Sequence, residues 1–152
     1  MLCLPGGLNV VPKDRTGTYC KLTRGVLLNH LEQKYAVCVY AGKWGSKFMC
    51  FDVDDGNRET VFRIISELER LGVPRRMIYV SYSGGKGYHV ELFCRDIIPT
   101  EQWYWLYLSV IRTGNLDPGK VEFRPTHTQS IKLPLSCHAK SGKVCWYVDR
   151  DT

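Results

Sequence analysis

The feature that most constrains this chain is the order in which its hydrophobic periodicity changes between residues 47 and 123. Residues 47–53 (KFMCFDV) form a nearly continuous apolar run of strand length. Asn57 then offers a cap for a helix whose apolar residues are Val61, Ile64, Ile65, Leu68 and Leu71, with Gly72 and Pro74 to stop it. Residues 77–82 and 88–94 read as a second and third strand flanking a glycine-rich turn at 83–87. Thr100 is expected to cap an aromatic helix running to about residue 113, with Trp103 and Trp105 in the core; residues 114–119 break it and 120–123 begin a fourth strand. The sum is β-α-β-β-α-β, so the predicted fold is α+β with a ferredoxin-like or RRM-like core.

The rest of the chain is arranged around that core. Residues 1–20, with Pro5, Gly6, Gly7, Pro12 and Gly17, read as irregular; Thr23 can cap a helix over 24–34, and 36–41 alternates loosely as a strand. After residue 123, short strands are expected at 130–134 and 143–148. A length of 152 residues suits one domain. Its expected parts are a short N-terminal αβ extension at 1–46, the βαββαβ core at 47–123 and a strand and loop extension at 124–152. With 44% hydrophobic and 12% aromatic residues the chain can bury a core, which excludes wholesale disorder. No apolar run reaches the ~18–20 residues of a membrane span, and residues 1–7 lack the regions of a signal peptide. A soluble, cytoplasmic protein with no membrane partner is expected. Seven cysteines without a CxxC suit reduced, largely buried thiols. Cys137, His138 and Cys145 match no common zinc spacing, so no structural zinc is expected.

In a βαββαβ sheet the first and third strands lie at the centre and the fourth pairs with the first. The end of 47–53, the start of 88–94 and segment 120–123 should therefore meet on one face. Asp52 and Asp54 are two apart on a strand and point the same way. Two carboxylates aimed together repel unless a cation lies between them, and oxygen ligands suit Mg²⁺ or Mn²⁺. Acids that simply favour a helix N-terminus are the competing reading, preferred for Asp55. Glu122, between Val121 and Phe123, faces away from two large apolar neighbours and is a candidate third carboxylate. A solvent-facing strand glutamate is its alternative.

Two further segments carry chemistry. In Ser83-Gly84-Gly85-Lys86-Gly87-Tyr88-His89 the glycines let an anion approach the backbone, Lys86 adds charge, and Ser83 and His89 offer hydrogen bonds. It joins two strands, so it is no Walker loop; an ordinary glycine hairpin is the alternative. Residues 124–143 hold Lys132, His138, Lys140 and Lys143, suited to a triphosphate or a nucleic-acid backbone, with a solvated basic loop as the plainer reading of Lys143. Charge is distributed to match. The net charge is +6, with seven basic residues against two acids in 1–50 and six against three in 120–152, framing the acids Asp52, Asp54 and Asp55. A basic frame around an acidic centre points to a polyanion partner and metal-assisted chemistry.

Together FDVDDG at 51–56, SGGKGYH at 83–89, and VEF with SIKLPLSCHAKSGK across 121–143 resemble the three motifs of the archaeo-eukaryotic primase superfamily. The likeness is strongest to primase-polymerase domains of mobile elements and conflict systems. The resemblance implies a template-directed nucleotidyltransferase, working on single-stranded DNA with NTPs or dNTPs. It implies that Asp52, Asp54 and Glu122 ligate two Mg²⁺ or Mn²⁺ ions, and that Ser83, Gly84, Gly85, Lys86 and His89 hold nucleotide phosphates. Lys132 stands where relatives usually carry an arginine, which replaces a bidentate contact by a point charge. His138 and Lys140 match the family's His-x-Lys tail, making 124–152 a nucleotide- and template-binding tail. A helicase or accessory primase domain, fused or separate, is the implied partner. Two other readings use the same scaffold. A non-catalytic RRM-like module is suggested because 86–93 overlays the RNA-recognition consensus at Lys86, Gly87, Tyr88 and Phe93, though His89 and Glu91 break it. A rolling-circle nicking enzyme would need a His-x-His pair that His127 and His138 do not form.

Overall fold

The computed structural model describes residues 23–138 and 140–148 together with the backbone of residues 2–3 and 9–10. Its elements are β1 (Leu2–Cys3), β2 (Asn9–Val10), α1 (Arg24–Leu31), β3 (Ala36–Val39), β4 (Ser46–Val53), α2 (Arg58–Arg70), β5 (Ile78–Tyr82), β6 (Tyr88–Ile98), α3 (Thr100–Thr113), β7 (Val121–Arg124) and β8 (Ile131–Lys132). From β4 to β7 the order is the expected βαββαβ. Most of segment 1–20, expected to be irregular, lies outside the described residues.

The main sheet has the order β5-β6-β4-β7 and every neighbouring pair is antiparallel. One face packs on α2 and α3. Met49, Phe51 and Val53 of β4, Val90 and Leu92 of β6 and Val121 of β7 join Ile64, Leu68 and Val110 of the helices in the core. Because side chains alternate along a strand, Cys50, Asp52, His89, Glu91 and Glu122 are turned to the other face. The helices form for local reasons. Asn57 accepts from the Glu59 N–H and caps α2, whose apolar stripe is buried at Val61, Ile64, Ile65 and Leu68.

Several expectations are corrected by packing. Thr100 is the first residue of α3 and not its cap; the Pro99 carbonyl receives the Gln102 and Trp103 N–H groups instead. Trp103 is buried and its indole N–H donates to the Ser46 carbonyl, but Trp105, expected in the core, is 61% exposed. Two residues advance a helix by about 200°, so the stripe of Trp103, Tyr107, Val110 and Ile111 leaves Trp105 outside. α1 ends at Leu31, ahead of Gln33 at φ 62°. Over 143–148 there is only bridging: Tyr147 pairs with Ser81 and Val144 with Cys137. The Tyr82 N–H donates to the Trp146 carbonyl and Val148 to that of Val80, so 146–148 runs along the outer edge of β5.

A second sheet, β2-β1-β3-β8, joins the two chain extensions. Cys38 pairs with Lys132, which carries the tail back beside the core. Buried His30 fastens this unit: its Nδ1 accepts the Val37 N–H at 2.9 Å and its Nε2 lies 2.7 Å from the Pro134 carbonyl, which fixes the Nε2–H tautomer.

Candidate active site

Asp52 is placed by pairing on both sides. In register it stands opposite His89 of β6 and opposite Glu122 of β7. Asp54 lies just past the end of β4, where its N–H donates to the Lys120 carbonyl at 2.9 Å and prolongs the pairing with β7. A carboxylate oxygen from each of Asp52, Asp54 and Glu122 can be chosen so that all lie within 4.8 Å of one another. Burial and the neighbouring Asp54 push the Asp52 carboxyl up to about 7, with Glu122 adding to the rise and Arg124 opposing it. Burial and Glu122 also raise Asp54. Arg124 forms an ion pair with Glu122. Asp55 is otherwise employed: its carboxylate accepts from the Asn57 N–H and the Thr60 hydroxyl, closing the turn into α2.

These carboxylates fit hard divalent cations. The donors are all oxygens and they converge, and the repulsion that Asp54 and Glu122 add to the effect of burial on Asp52 is one that a cation in their midst would relieve.

The loop after β5 packs directly against this site. A Cβ on Gly87 would sit 2.1 Å from the Val53 carbonyl oxygen, so only glycine permits the close approach. Gly84 adopts φ +81° with the Cβ of His138 and the Sγ of Cys145 against it. The Ser83 hydroxyl oxygen accepts from the Gly85 and Gly87 N–H groups at 3.3 and 3.2 Å, which shapes the loop and leaves its O–H as a donor. Lys86 is exposed at the tip.

The tail supplies the remaining positive groups. Lys132 donates to Cys145 Sγ, and the Cys145 thiol donates to the Ser83 carbonyl at 2.9 Å. His138 lies over Gly84 and Gly85, and Ser141 ties the two segments by donating to the Gly84 carbonyl while its N–H meets His138 Nδ1 at 3.3 Å. Lys140 is exposed and, with burial and Lys132, lowers the proton affinity of His138. The carboxylates, the glycine loop, Lys132 and His138 are thus brought together, while the side chains of Lys86 and Lys140 are exposed.

His89 joins the two halves. Its Nε2 faces Asp52 Oδ1 at 3.5 Å and its Nδ1 lies 3.9 Å from Glu91 Oε1. Burial, then Lys132 and His138, hold it down to about 3, so the imidazole is neutral at physiological pH. Glu91 escaped the sequence reading as a site residue. It is buried against Cys50 in register on β4, Ser81 in β5 and Tyr147 in the tail, and burial lifts its carboxyl to about 7. His89 Nδ1 and Glu91 Oε2 are buried without a hydrogen-bond partner. The available signal was spacing: Glu91 is two residues from His89 on one strand and so shares its face. Among the described residues, Cys50, His89 and Glu91 are a second set able to converge on a metal, while Cys137, His138 and Cys145 are not. The five described cysteines are free thiols.

The RNA-recognition overlay is turned the wrong way. Tyr88 and Val90, at positions where stacking aromatics are required, pack on the helix side, and only Phe93 reaches the open face.

Comparison with known proteins speaks to the fold and the family. No curated protein matches the chain. Among solved structures it is similar to the AEP domain of the cyanophage S-2L primase-polymerase (PrimPol), at 17% identity and a TM-score of 0.53 over 84% of this chain and 69% of that one. That likeness is one of fold. A family model described as the archaeo-eukaryotic primase domain of TOTE conflict systems matches residues 11–152, and to that family this chain belongs.

Proposed function

We propose that the chain is a template-directed nucleotidyltransferase that makes or extends primers on single-stranded DNA, serving replication of a mobile element or repair. The observation that carries this is the convergence of Asp52, Asp54 and Glu122 beside a glycine loop and a basic tail. Two divalent ions, Mg²⁺ or Mn²⁺, held by these carboxylates would activate a primer 3′-OH and stabilise the α-phosphate and departing pyrophosphate.

The chain's own groups do the rest. Backbone N–H groups around Gly84 and Gly85, the Ser83 hydroxyl and the charges of Lys86, Lys132 and Lys140 bind the triphosphate. Neutral His89 offers an N–H to the nucleotide without adding a charge beside Asp52, and His138 closes over the loop. Arg124 orients Glu122 and moderates repulsion within the carboxylate set. On this reading 47–123 is the catalytic core, 1–46 supports it, and 124–152 grips nucleotide and template. A helicase or accessory primase domain, fused or separate, is the partner this reading implies.

The test is incubation with single-stranded DNA, Mn²⁺ and labelled NTPs or dNTPs. Metal-dependent products are expected from the wild type, and none from the Asp52→Ala/Asp54→Ala variant. Full activity in that variant would overturn the proposal.

A further inference from the structure

The sheet face that carries Asp52 continues into a row of aromatic rings that nucleotidyl transfer does not use. Phe48 stands four residues from Asp52 along β4, about 13 Å at the rise of a strand. It pairs in register with Phe93 of β6, and their rings stack with centroids 5.7 Å apart and planes at 21°. Tyr79 of β5 meets Phe93 edge-on at 5.5 Å, and Tyr147 of the tail meets Tyr79 edge-on at 6.3 Å. The row thus crosses three strands and reaches the tail. Phe93, Tyr79 and Tyr147 are 42, 38 and 40% exposed. A contiguous exposed aromatic patch on a small domain marks a contact surface. Where the row reaches the edge of β5, Phe93, Tyr79 and Tyr147 help line a cavity of about 650 Å³ that passes round that edge to α2, where Arg58 and Arg75 line it.

We propose that this row is a stacking platform for bases of the single-stranded DNA template, with Arg58 and Arg75 placed to meet its phosphates. The inference rests on reading the chain as a template-dependent enzyme. Three features select this occupant. Every base offers a π-face, so aromatic rows bind single strands without reading sequence. The row shares its face with the catalytic carboxylates, and the 13 Å between them is about four stacked nucleotides at 3.4 Å each. The arginines at the cavity and the net charge of +6 complement a polyanion.

The test measures fluorescence anisotropy of a labelled oligo-dT with EDTA present and no nucleotide, so that it does not depend on catalysis. Phe48→Leu/Phe93→Leu keeps apolar volume and removes the rings. Its affinity is expected to fall on the order of tenfold or more, and Phe93→Trp is expected to retain binding. Thermal melting of each variant monitors folding. Affinity within twofold of wild type in a folded double variant would overturn the platform. So would a concentration-dependent dimer that the double variant abolishes, because a second copy would then be the occupant. Failure of primer synthesis by the wild type, with DNA binding still sensitive to these rings, would count against the proposed function and leave the platform standing.

Discussion

Asp52 and Glu122 are direct register partners on adjacent antiparallel strands, although 70 positions separate them in the chain. Opposed like charges on a sheet destabilise it. A cation between them would relieve that repulsion, which adds to burial in raising the proton affinity of Asp52.

Mn²⁺ should accordingly stabilise the protein. At a concentration 100 times its dissociation constant a ligand of the folded state adds about 2.7 kcal/mol, which for a chain of this size raises Tm by roughly 5–10 °C. Asp52→Asn should melt higher than wild type in EDTA and lose most of the Mn²⁺ response. Scanning calorimetry in the two buffers checks both signs.

Glu91 predicts a pH signature. Its folded carboxyl titrates at about 7 against an ordinary 4.5, so between these values the folded state holds a proton that the unfolded state has lost. Stability should therefore fall as pH rises from 4.5 to 7 and stay level above, by about 3 kcal/mol at most. Groups facing it are Cys50, Ser81, His89, Tyr147 and Lys132. His89 works oppositely, since its lowered proton affinity costs stability as pH falls from 6.5 towards 3. The Glu91→Gln variant isolates the first effect. Denaturant titrations should show it more stable than wild type at pH 8, with the gap closing by pH 5.

Two glycines of one loop should behave differently. A methyl at Gly87 would meet the Val53 carbonyl at 2.1 Å, and Gly87→Ala should cost about 3 kcal/mol or more. A methyl at Gly85 finds His138 at 3.5 Å and Ser83 Oγ at 3.6 Å, ordinary contacts. Gly85→Ala should fold normally and raise the KM for nucleotide several-fold, because the added carbon occupies the surface where phosphate approaches. Urea melts and steady-state kinetics separate the two.

Lys132 should act through charge. On the proposed reading Lys132→Met removes one phosphate partner and should raise the nucleotide KM by about 10- to 100-fold, with a smaller effect on kcat. Nucleotide titrations at saturating template measure it.

How much of this was legible in the sequence follows from the range of the interactions involved. The βαββαβ order is written locally, in the 3.6-residue stripe of α2 and the apolar runs of β4 and β6. Once that order is known, the sheet topology brings Asp52 to Glu122 without further information. What stayed hidden depends on tertiary contacts. Glu91 is a plain strand glutamate until Cys50, Ser81 and Tyr147 enclose it. Strands are expected at 36–41 and 130–134, but nothing local says that Cys38 pairs with Lys132 across 94 positions. Aromatic content alone assigns Trp105 to the core, whereas the helical angle from Trp103 turns it outward.

The central claim is that Asp52, Asp54 and Glu122 act as one metal-dependent unit in nucleotidyl transfer. Single-nucleotide incorporation on a primed single-stranded DNA template, with Mn²⁺ present, tests it directly when wild type is compared with Glu122→Gln. Mn²⁺-dependent incorporation by the wild type is expected, with a loss of about 100-fold or more in the folded variant, the scale of a lost electrostatic catalytic group. Equal rates in the two proteins would contradict it.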